Sequence, residues 1–344
     1  MEKKVSLKDI AGRLNVSVAL VSYVLNGKEK EARVGAEIAA RIRAVAEELH
    51  YQPNLIAKSL KSGKTNTIAL IVADISNPFF SGIARIVEDE AKKSGHVVIF
   101  GSSDESAEKQ QDLITVFLNR QVDAFIVAPT TGTESQIRAL KDSGVPVILI
   151  DRYFPDIDVD CVRIDNYQAA YKAAQLLIRN GHQKIGMVAY DTTLAHMQER
   201  KDGYKAALKE NKIRFRKEWL LEVSYATIEK DVHEGLGKLL RPLQVDAMLF
   251  ATNSLAVAGL KKIIDSGIRI PDELAIISFD QSEVFDFFYS PVSYVSQSLE
   301  DIGREAVKLA IRKRTGGKMK SANIVVEAKL VVKESSGKIE PGAG

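Results

Sequence analysis

The chain has 344 residues, of which 45% are hydrophobic, and a formal net charge of +3. This length suggests about two or three domains, and so apolar a chain buries full cores, which excludes a disordered or fibrous protein. The longest apolar runs are far shorter than the roughly 18 residues of a membrane span, so we expect no transmembrane helix. Because no apolar segment follows the charged N-terminus, we expect no secretory signal and a cytoplasmic location.

The small net charge hides an uneven distribution. Residues 1–64 contain 12 Lys and Arg against 7 Asp and Glu, a charge of +5, whereas the remainder contains 36 against 38, or −2. A basic end on a slightly acidic body is typical of a protein that meets a polyanion at that end. Basic helical segments are also common as ordinary solvated faces, so charge alone does not decide between the two.

Three short helices are predicted in the N-terminal segment. Ser6 begins a capping box, Ser17 caps a second helix that ends at Asn26, and Gly35 begins a third. Their apolar residues recur at helical spacing, so the three helices can share one small core. The sequence therefore predicts a helix-turn-helix domain over residues 1–52.

A short connecting segment, residues 53–64, follows this domain. Pro53 is suited to the first turn of a helix of about two turns, and Gly63 lies just beyond its end. So short a helix is marginal alone, and we expect it to order only against a partner. At the other end of the chain, residues 335–344 are rich in small and charged residues and are predicted to form a flexible tail.

From residue 67 onward, short β-branched runs alternate with amphipathic helices. The predicted strands are Ile68–Val72, Val97–Phe100, Ala124–Val127, Val147–Ile150, Val162–Ile164, Lys184–Val188, Ala247–Phe250, Ala275–Phe279 and Val292–Val295. Continuous apolar strands joined by crossover helices indicate parallel sheets that are covered on both faces. This α/β region could be one barrel or two open sheets.

Two Rossmann-like parallel lobes are the favoured arrangement for residues 65–334. A helix over 299–314 and an apolar run over 324–332 follow the last strand, as though the chain returned to both lobes. We expect lobe 1 to comprise about 65–162 and 296–322, and lobe 2 about 163–295 and 323–334.

Enzyme signatures are incomplete in this sequence. Gly63-Lys64-Thr65 resembles the end of a phosphate-binding loop, but the leading glycine would fall at Lys58. The five histidines show no metal-ligand spacing, and no GxSxG motif is present. Cys161 is the only cysteine, which excludes disulfides within the chain and cysteine-rich zinc sites. We expect no catalytic residues, no metal and no cofactor.

Polar residues follow several of the predicted strands, where open α/β sheets bind ligands. They are Asp74, Asp151, Asp165, Asn253 and Asp280. Any one of them could simply cap a helix. Together they offer the bidentate partners that adjacent hydroxyls require, and Phe79 and Phe80 could present an apolar face to a ring, although taken alone such residues are more often part of the core.

Several stretches of the sequence resemble the lactose-repressor/galactose-repressor (LacI/GalR) family of bacterial transcription regulators. The matching segments are Val5–Asn26 (VSLKDIAGRLNVSVALVSYVLN), Tyr51–Leu60 (YQPNLIAKSL), Thr65–Ile68, Asp74–Phe80 (DISNPFF), Gly181–Ile185, Arg200–Tyr204 (RKDGY), Ala251–Asn253 and Ser278–Asp280. They occur in order over about residues 5–333. The resemblance implies a DNA-binding headpiece, a hinge helix, and a two-lobed body similar to periplasmic sugar-binding proteins.

The resemblance also implies which residues meet DNA. The set comprises Ser6, Ser17, Val18, Ala19, Ser22, Tyr23 and Asn26 of the headpiece, and Asn54, Ala57, Lys58 and Leu60 of the hinge helix. In the family pattern Val18 and Ala19 face base edges, and Leu60 wedges into a central base step. Tyr23 stands where arginine is usual, and tyrosine cannot make the bidentate guanine contact, so the operator rules of typical members do not transfer.

For the body, the resemblance implies a pocket for a sugar or sugar phosphate and a homodimer on a palindromic double-stranded operator. The implied effector contacts are Phe79, Phe80, Asp165, Arg200, Tyr225, Asn253 and Asp280. Ser254 departs from the family's usual Asn-Asp pair. The competing hypotheses are a sugar-binding receptor with an incidental N-terminus and an α/β enzyme acting on a sugar.

Overall fold

The computed structural model describes residues 5–52, 63–240, 244–315 and 320–337 of the chain. It divides into two compact units, Met1–Thr65 and Asn66–Gly344. Within the described part of the chain, no helix is both long enough and apolar enough to cross a membrane.

The first unit contains the three predicted helices. They are α1 (Leu7–Leu14), α2 (Val18–Leu25) and α3 (Ala36–Glu48). Ile10, Val21 and Ile42, one from each helix, are fully buried against one another. The apolar spacing in the sequence therefore does form a single three-helix core.

Local hydrogen bonds fix the start of α1 and the turn between the first two helices. The backbone N–H and the hydroxyl of Ser6 both donate to Asp9 Oδ2, at 2.7 Å each. Asn15 adopts a left-handed backbone with φ of 52° and ends α1. Ser17 Oγ accepts from the backbone N–H of Leu20 at 3.1 Å and caps α2.

The second unit contains two sheets. Its strands are β1 (Thr67–Val72), β2 (Val97–Ser102), β3 (Ala124–Val127), β4 (Val147–Ile150), β5 (Asp160–Ile164), β6 (Ile185–Tyr190), β7 (Leu220–Val223), β8 (Ala247–Phe250), β9 (Ala275–Phe279), β10 (Ser293–Gln297), β11 (Asn323–Val326) and β12 (Ala328–Val331). The sheet of lobe 1 has the order β11-β5-β4-β3-β1-β2, and that of lobe 2 has the order β12-β10-β9-β8-β6-β7. Every pairing is parallel except β10 with β12. The predicted pair of Rossmann-like lobes is confirmed.

Helices cover both faces of each sheet. They are α4 (Pro78–Lys93), α5 (Ala107–Asn119), α6 (Glu134–Asp142), α7 (Asn166–Arg179), α8 (Ala195–Glu210), α9 (Ile228–Leu240), α10 (Asn253–Asp265), α11 (Glu283–Phe287) and α12 (Leu299–Thr315). In lobe 1, α12 packs beside α4, and in lobe 2, α7 packs beside α8. The last long helix thus returns to lobe 1.

The described chain passes between the lobes at three places. It crosses from β5 to α7, from β10 to α12, and from β11 to β12. In a parallel sheet the carboxyl ends of the strands lie at one edge, and the loops at that edge form the ligand-binding crevice. In this molecule those edges of the two sheets border a common cleft, because side chains from both sets of loops line one cavity.

Two sequence expectations about the body require correction. The edge strand β7 was not predicted, because its four residues mix apolar positions with Glu222. Residues 323–334 do not all belong to lobe 2, since β11 pairs with β5 of lobe 1 and only β12 joins lobe 2. This run is largely apolar but contains charged residues such as Glu327. The sequence therefore does not show that the chain crosses from one lobe to the other between β11 and β12.

The start of the expected flexible tail is in fact anchored. Ser335 and Ser336 are buried, and Ser335 Oγ donates to the carbonyl of Ile276 at 2.7 Å. Asn180 Nδ2 donates to the carbonyl of Ser336, also at 2.7 Å. These bonds tie the segment to lobe 2 because buried polar groups need partners. Residues 338–344 lie outside the described part.

A glycine permits the close packing of α7 against α8. A Cβ built at Gly203 would lie 2.1 Å from the backbone carbonyl oxygen of Tyr167. Because that oxygen belongs to the backbone, no change of side-chain rotamer can relieve such a contact.

We predict that Gly203→Ala destabilises the body by about 3 kcal/mol, because overpacking against backbone forces the two helices apart. The matched control is Gly237→Ala in α9, where the new Cβ would meet only the side chain of Lys262 at 3.6 Å. That change should stabilise by about 0.5–1 kcal/mol, because alanine restricts the unfolded chain. Urea unfolding of both variants measures the difference, and equal effects would contradict the packing argument.

Candidate functional site

The second helix of the first unit presents the side chains predicted to contact DNA. Val18 is 40% exposed and Tyr23 is 46% exposed, and Ala19 lies on the same open surface. Val21 and Val24 on the opposite side are buried. An exposed face on the second helix of a helix-turn-helix is the arrangement that enters a major groove.

The polar residues of this helix are partly occupied by the helix itself. Ser17 accepts the capping bond, and Asn26 Nδ2 donates to the carbonyl of Ser22 at 2.8 Å. Ser6 is exposed while its hydroxyl donates to Asp9. Each of these side chains keeps oxygen lone pairs that could accept a further bond.

Four residues of the predicted DNA-binding set lie outside the described residues. They are Asn54, Ala57, Lys58 and Leu60 of the expected hinge helix. Gly63 is described, and its φ of 63° is the left-handed conformation expected just beyond a helix end.

A small cavity lies where the two lobes of the body face each other, with a volume of about 30 Å³. Its lining residues come from both lobes. They are Asn77, Phe79, Phe80, Glu105, Asp151, Arg152, Tyr190, His196, Arg200, Tyr225, Thr252, Asp280 and Gln297. A cavity of about 30 Å³ has the volume of roughly one water molecule in the liquid, so the side chains nearly fill this space.

A larger and more open cavity of about 300 Å³ adjoins the first one. The two share Phe79, Asp280 and Gln297, and the larger one also touches Glu283. Ligand pockets for small molecules usually begin at about this volume. The cleft therefore offers a tight inner compartment that continues into an outer one.

Arg200 in α8 is held firmly in the wall of the inner cavity. Its Nε donates to Asn166 Oδ1 at 2.8 Å and its Nη1 to the carbonyl of Ala251 at 2.6 Å, while the guanidinium stacks 4.2 Å from the ring centroid of Phe279. Its Nη2 lies 3.9 Å from Asp151 Oδ1, across the cleft. Only 2% of the residue is exposed, so Arg200 is a structural part of lobe 2 as well as a lining residue.

Lobe 1 contributes a second buried arginine with its own carboxylate. Arg152 Nη1 and Nη2 donate to the two oxygens of Glu105 at 2.8 and 2.6 Å. This two-bond geometry is the strong, oriented form of an arginine–carboxylate pair. The same guanidinium lies 5.5 Å from the ring centroid of Phe80.

Direct hydrogen bonds join the two lobes across the cleft. Tyr225 OH donates to Asp74 Oδ2 at 2.5 Å. Asn77 Oδ1 accepts from Asn253 Nδ2 at 3.2 Å, and Asn77 Nδ2 donates to Ser254 Oγ at 3.3 Å. These contacts hold the lobes in a closed arrangement.

Two aspartates of the cavity have raised pKa values. Burial raises the pKa of Asp280 to about 6, although Arg200 and the hydrogen bond from Gln297 act in the opposite direction. Burial also raises the pKa of Asp151. For His196, burial and the two nearby arginines hold the pKa well below its ordinary value, so this imidazole is neutral at pH 7.

The structure brings together most of the predicted effector contacts. Phe79, Phe80, Arg200, Tyr225 and Asp280 line the inner cavity, and Asn253 reaches its edge by bonding to Asn77.

Asp165 is the exception. It is exposed and caps α7 by accepting from the backbone N–H of Gln168 at 2.9 Å, while its neighbour Asn166 points inward to Arg200.

Sequence reasoning missed several lining residues. Asp151 was noted at a strand end but not assigned to the site, and Asn77, Glu105, Arg152, Tyr190, His196, Thr252 and Gln297 were not assigned either. Arg152 follows a strand directly after Asp151, which was a usable signal. Glu105 carries no such signal, since it lies among other polar residues in a loop. Within the described residues, no group of three or more potential metal ligands is placed to bind an ion.

Comparison with known families accounts for both units. Residues 65–334 match the family described as periplasmic binding proteins and sugar binding domain of LacI family. Residues 6–54 match the bacterial regulatory proteins of the lacI family. The chain belongs to the LacI family.

Relatives of known name cover nearly the whole chain. Catabolite control protein A of Priestia megaterium is 33% identical over 308 residues, which span 89% of this chain and 91% of that protein. The ribose operon repressor of Haemophilus influenzae is 28% identical over 332 residues, or 96% and 98% of the two chains. This LacI-family chain is a DNA-binding transcriptional regulator rather than an enzyme, as predicted.

Solved structures agree with the fold. The lac repressor dimer bound to operator and the anti-inducer ONPF superposes with a TM-score of 0.86 at 20% identity, covering 97% of this chain and 100% of that one. The complex of the transcriptional regulator CelR with cellobiose gives a TM-score of 0.71 at 26% identity, with coverage of 96% and 100%.

Tyr23 is exposed in the headpiece, at the position where the resemblance to the family led us to expect arginine. We predict that Tyr23→Arg changes the preferred half-site, with a new preference for guanine at one position, because arginine can bond bidentately to guanine. An exposed substitution should alter the free energy of unfolding by less than about 0.5 kcal/mol. Selection of binding sites from a random DNA pool compares the two proteins. The control is Tyr167→Arg on the body surface, and identical consensus sequences for all three proteins would remove Tyr23 from base recognition.

The raised pKa of Asp280 makes stability depend on pH. Because the folded protein holds this proton up to about pH 6 and the unfolded chain releases it near 3.8, the free energy of unfolding should fall as the pH rises through that window. Asp280→Asn should abolish this contribution, so the variant should gain about 2–3 kcal/mol relative to the parent between pH 4 and 7. Urea unfolding at four pH values measures the gain. Asp272→Asn, at an exposed position, should give a constant difference, and a constant difference for Asp280→Asn would contradict the assignment.

Proposed function

We propose that this regulator is a repressor of carbohydrate uptake or metabolism genes that binds a palindromic operator as a homodimer and responds to a sugar in the cleft between its lobes. The observation that carries the proposal is the convergence of aromatic and polar side chains on one cavity. Phe79 offers an apolar face, while Asp280, Asp151 and Gln297 offer acceptors for hydroxyl groups. Sugars combine these two features on one ring.

The names of the relatives support a carbohydrate effector. One relative is a ribose operon repressor, and one similar structure is a complex with cellobiose. The outer cavity of about 300 Å³ gives a sugar a route to the inner cavity and leaves space for a second sugar ring. A phosphorylated sugar is the other possibility that the sequence left open.

Exposed apolar side chains support self-association. In lobe 1, Val97 and Phe100 of the edge strand β2 are 64% and 62% exposed. In lobe 2, Phe287 is 89% exposed and Tyr289 is 63% exposed. Large apolar side chains left open to this extent are typical of interaction surfaces, and a homodimer is the partner that a two-fold symmetric operator requires.

The cross-lobe bonds supply a mechanism. A ligand that binds between the lobes changes the balance between closed and open arrangements by its differential affinity for the two. The bonds from Tyr225 to Asp74 and from Asn253 to Asn77 join the two lobes, so opening would break them. We propose that this balance determines whether residues 53–64 form an ordered hinge helix on DNA, and so sets operator affinity.

A mobility-shift assay of the full chain on the DNA that flanks its own gene tests the proposal. We expect binding to that DNA to weaken steeply with salt, because the basic N-terminal segment neutralises phosphates. Addition of neutral and phosphorylated sugars in turn should identify at least one that alters the shift. Salt-independent binding, or a shift that no carbohydrate alters, would contradict the proposal.

Asp280→Ala should weaken binding of the sugar so identified at least tenfold, because a hydroxyl that loses a charged partner costs on the order of 1.5–3 kcal/mol. Operator affinity without sugar should not change. Calorimetric titration and the mobility-shift assay measure the two quantities. Asp272→Ala, at an exposed position of the same lobe, is the control. Loss of operator binding with intact sugar binding would instead assign Asp280 to folding or dimerisation.

A further inference from the structure

The charges around the inner cavity are unfavourable to an anionic ligand. Among the residues that line it, two arginines stand against three carboxylates, Glu105, Asp151 and Asp280. Within the described part of the chain, no lysine lines the inner cavity, and the buried imidazole of His196 is neutral. The described lining of the adjoining outer cavity includes Asp280 and Glu283 and no basic side chain. The formal charge of the inner lining is therefore −1 when its carboxylates are ionised.

Neither guanidinium can offer a phosphate two free terminal nitrogens side by side. Glu105 occupies both terminal nitrogens of Arg152, in the same two-bond geometry that a phosphate would use. Arg200 donates from Nε to Asn166 and from Nη1 to the carbonyl of Ala251, and its Nη2 faces Asp151. A phosphate would have to displace a buried carboxylate before it met a free guanidinium, and breaking such a pair leaves an uncompensated charge.

The helix N-termini at the cleft are also closed to anions. Asn77 Oδ1 accepts from the backbone N–H of Phe79 at 3.0 Å at the start of α4. Thr252 Oγ1 accepts from the backbone N–H of Leu255 at 3.3 Å at the start of α10. Backbone N–H groups that could have bound a phosphate are thus partly satisfied by side chains of the protein.

The unpaired polar atoms of the lining call for a ligand that both donates and accepts. Within the described residues, Asp151 Oδ1 and Gln297 Oε1 are buried acceptors without a hydrogen bond, and Arg152 Nε is a buried donor without one. A hydroxyl group can donate to the first two and accept from the third. A dianionic phosphate group placed against Asp151 and Gln297 has no proton to give, so it would leave both acceptors unsatisfied, whereas a hydroxyl in that place would not.

We propose that the effector is a neutral polyhydroxyl compound, and that Glu105 is the specificity determinant that excludes phosphorylated sugars by neutralising Arg152. This inference rests on the proposed function, because it assumes that a carbohydrate occupies the cleft. It narrows the effector from a sugar or sugar phosphate to an unphosphorylated sugar. Glu105 acts through Arg152 and is in this sense a positioning residue.

The first test titrates the full-length protein with matched pairs, each a neutral sugar and its monophosphate, including ribose with ribose 5-phosphate and glucose with glucose 6-phosphate. We expect at least one neutral member to raise the melting temperature saturably and its monophosphate to bind at least a hundredfold more weakly. Tighter binding of a monophosphate than of its neutral partner would overturn the inference and leave the proposed function standing. If a wide panel yields no binding by either class, the carbohydrate effector itself fails.

The second test needs no identified effector and uses inorganic phosphate as the probe. Glu105→Gln retains the size of the side chain and frees Arg152, so the variant should melt at a lower temperature than the parent and gain saturable stabilisation by phosphate. We expect phosphate to bind the variant at least tenfold more tightly than the parent. The control is Asp104→Asn, which removes the neighbouring exposed carboxylate and should gain no such site.

A double variant, Glu105→Gln with Arg152→Met, shows whether the gained site is the cleft arginine. It should lose the phosphate response while it remains folded by circular dichroism. Phosphate binding by the parent that Arg152→Met abolishes would overturn the inference. So would a Glu105→Gln variant that is folded and gains no phosphate binding.

Discussion

A charge buried between two protein lobes must be paired, and the cleft of this regulator is organised by that requirement. Arg152 is matched by Glu105 within lobe 1, and Arg200 by Asn166 and a backbone carbonyl within lobe 2. Asp151 lies near both guanidiniums, at 3.8 and 3.9 Å. The desolvation cost of an ion is tolerable only with such partners, so the pairing decides which ligand groups can enter.

The fold delivers these groups to one place. Asp151 and Arg152 follow β4, Asp280 follows β9, and Gln297 ends β10. Each therefore lies at the carboxyl end of a parallel strand. The three passages of the chain between the lobes set the two sheet edges face to face, so residues far apart in sequence share one cavity. The apolar strands form a rigid framework, and the loops that follow them carry the side chains that line the cavity.

Much of this could be predicted from the sequence, and the failures have physical causes. Strand ends were visible because buried parallel strands are continuous apolar runs, and so Asp280 could be expected at the cleft, where it lies. Asp165 was expected at the cleft but lies outside the cavity, because a strand-end aspartate that caps a helix and one that lines a cleft look identical in sequence. Glu105 was missed because its partner Arg152 is 47 residues away, and no local pattern encodes a tertiary ion pair. The crossing of the chain between β11 and β12 was also missed, because one largely apolar run contains both strands.

The distribution of pairs between lobes explains how the cleft can respond to a small ligand. Opening would separate Arg200 from Asp151 and break the bonds of Tyr225 and Asn77, but the short Arg152–Glu105 pair would stay intact because both partners belong to lobe 1. Among the described residues of the cleft, Arg152 would keep Glu105 and Arg200 would keep Asn166, because each of these partners lies in the same lobe as its arginine. The two arrangements therefore differ by a few hydrogen bonds, each with a net contribution of about 0.5–1.5 kcal/mol. A ligand whose affinities for the two arrangements differ by about 5.5 kcal/mol could invert such a balance from 1:99 to 99:1.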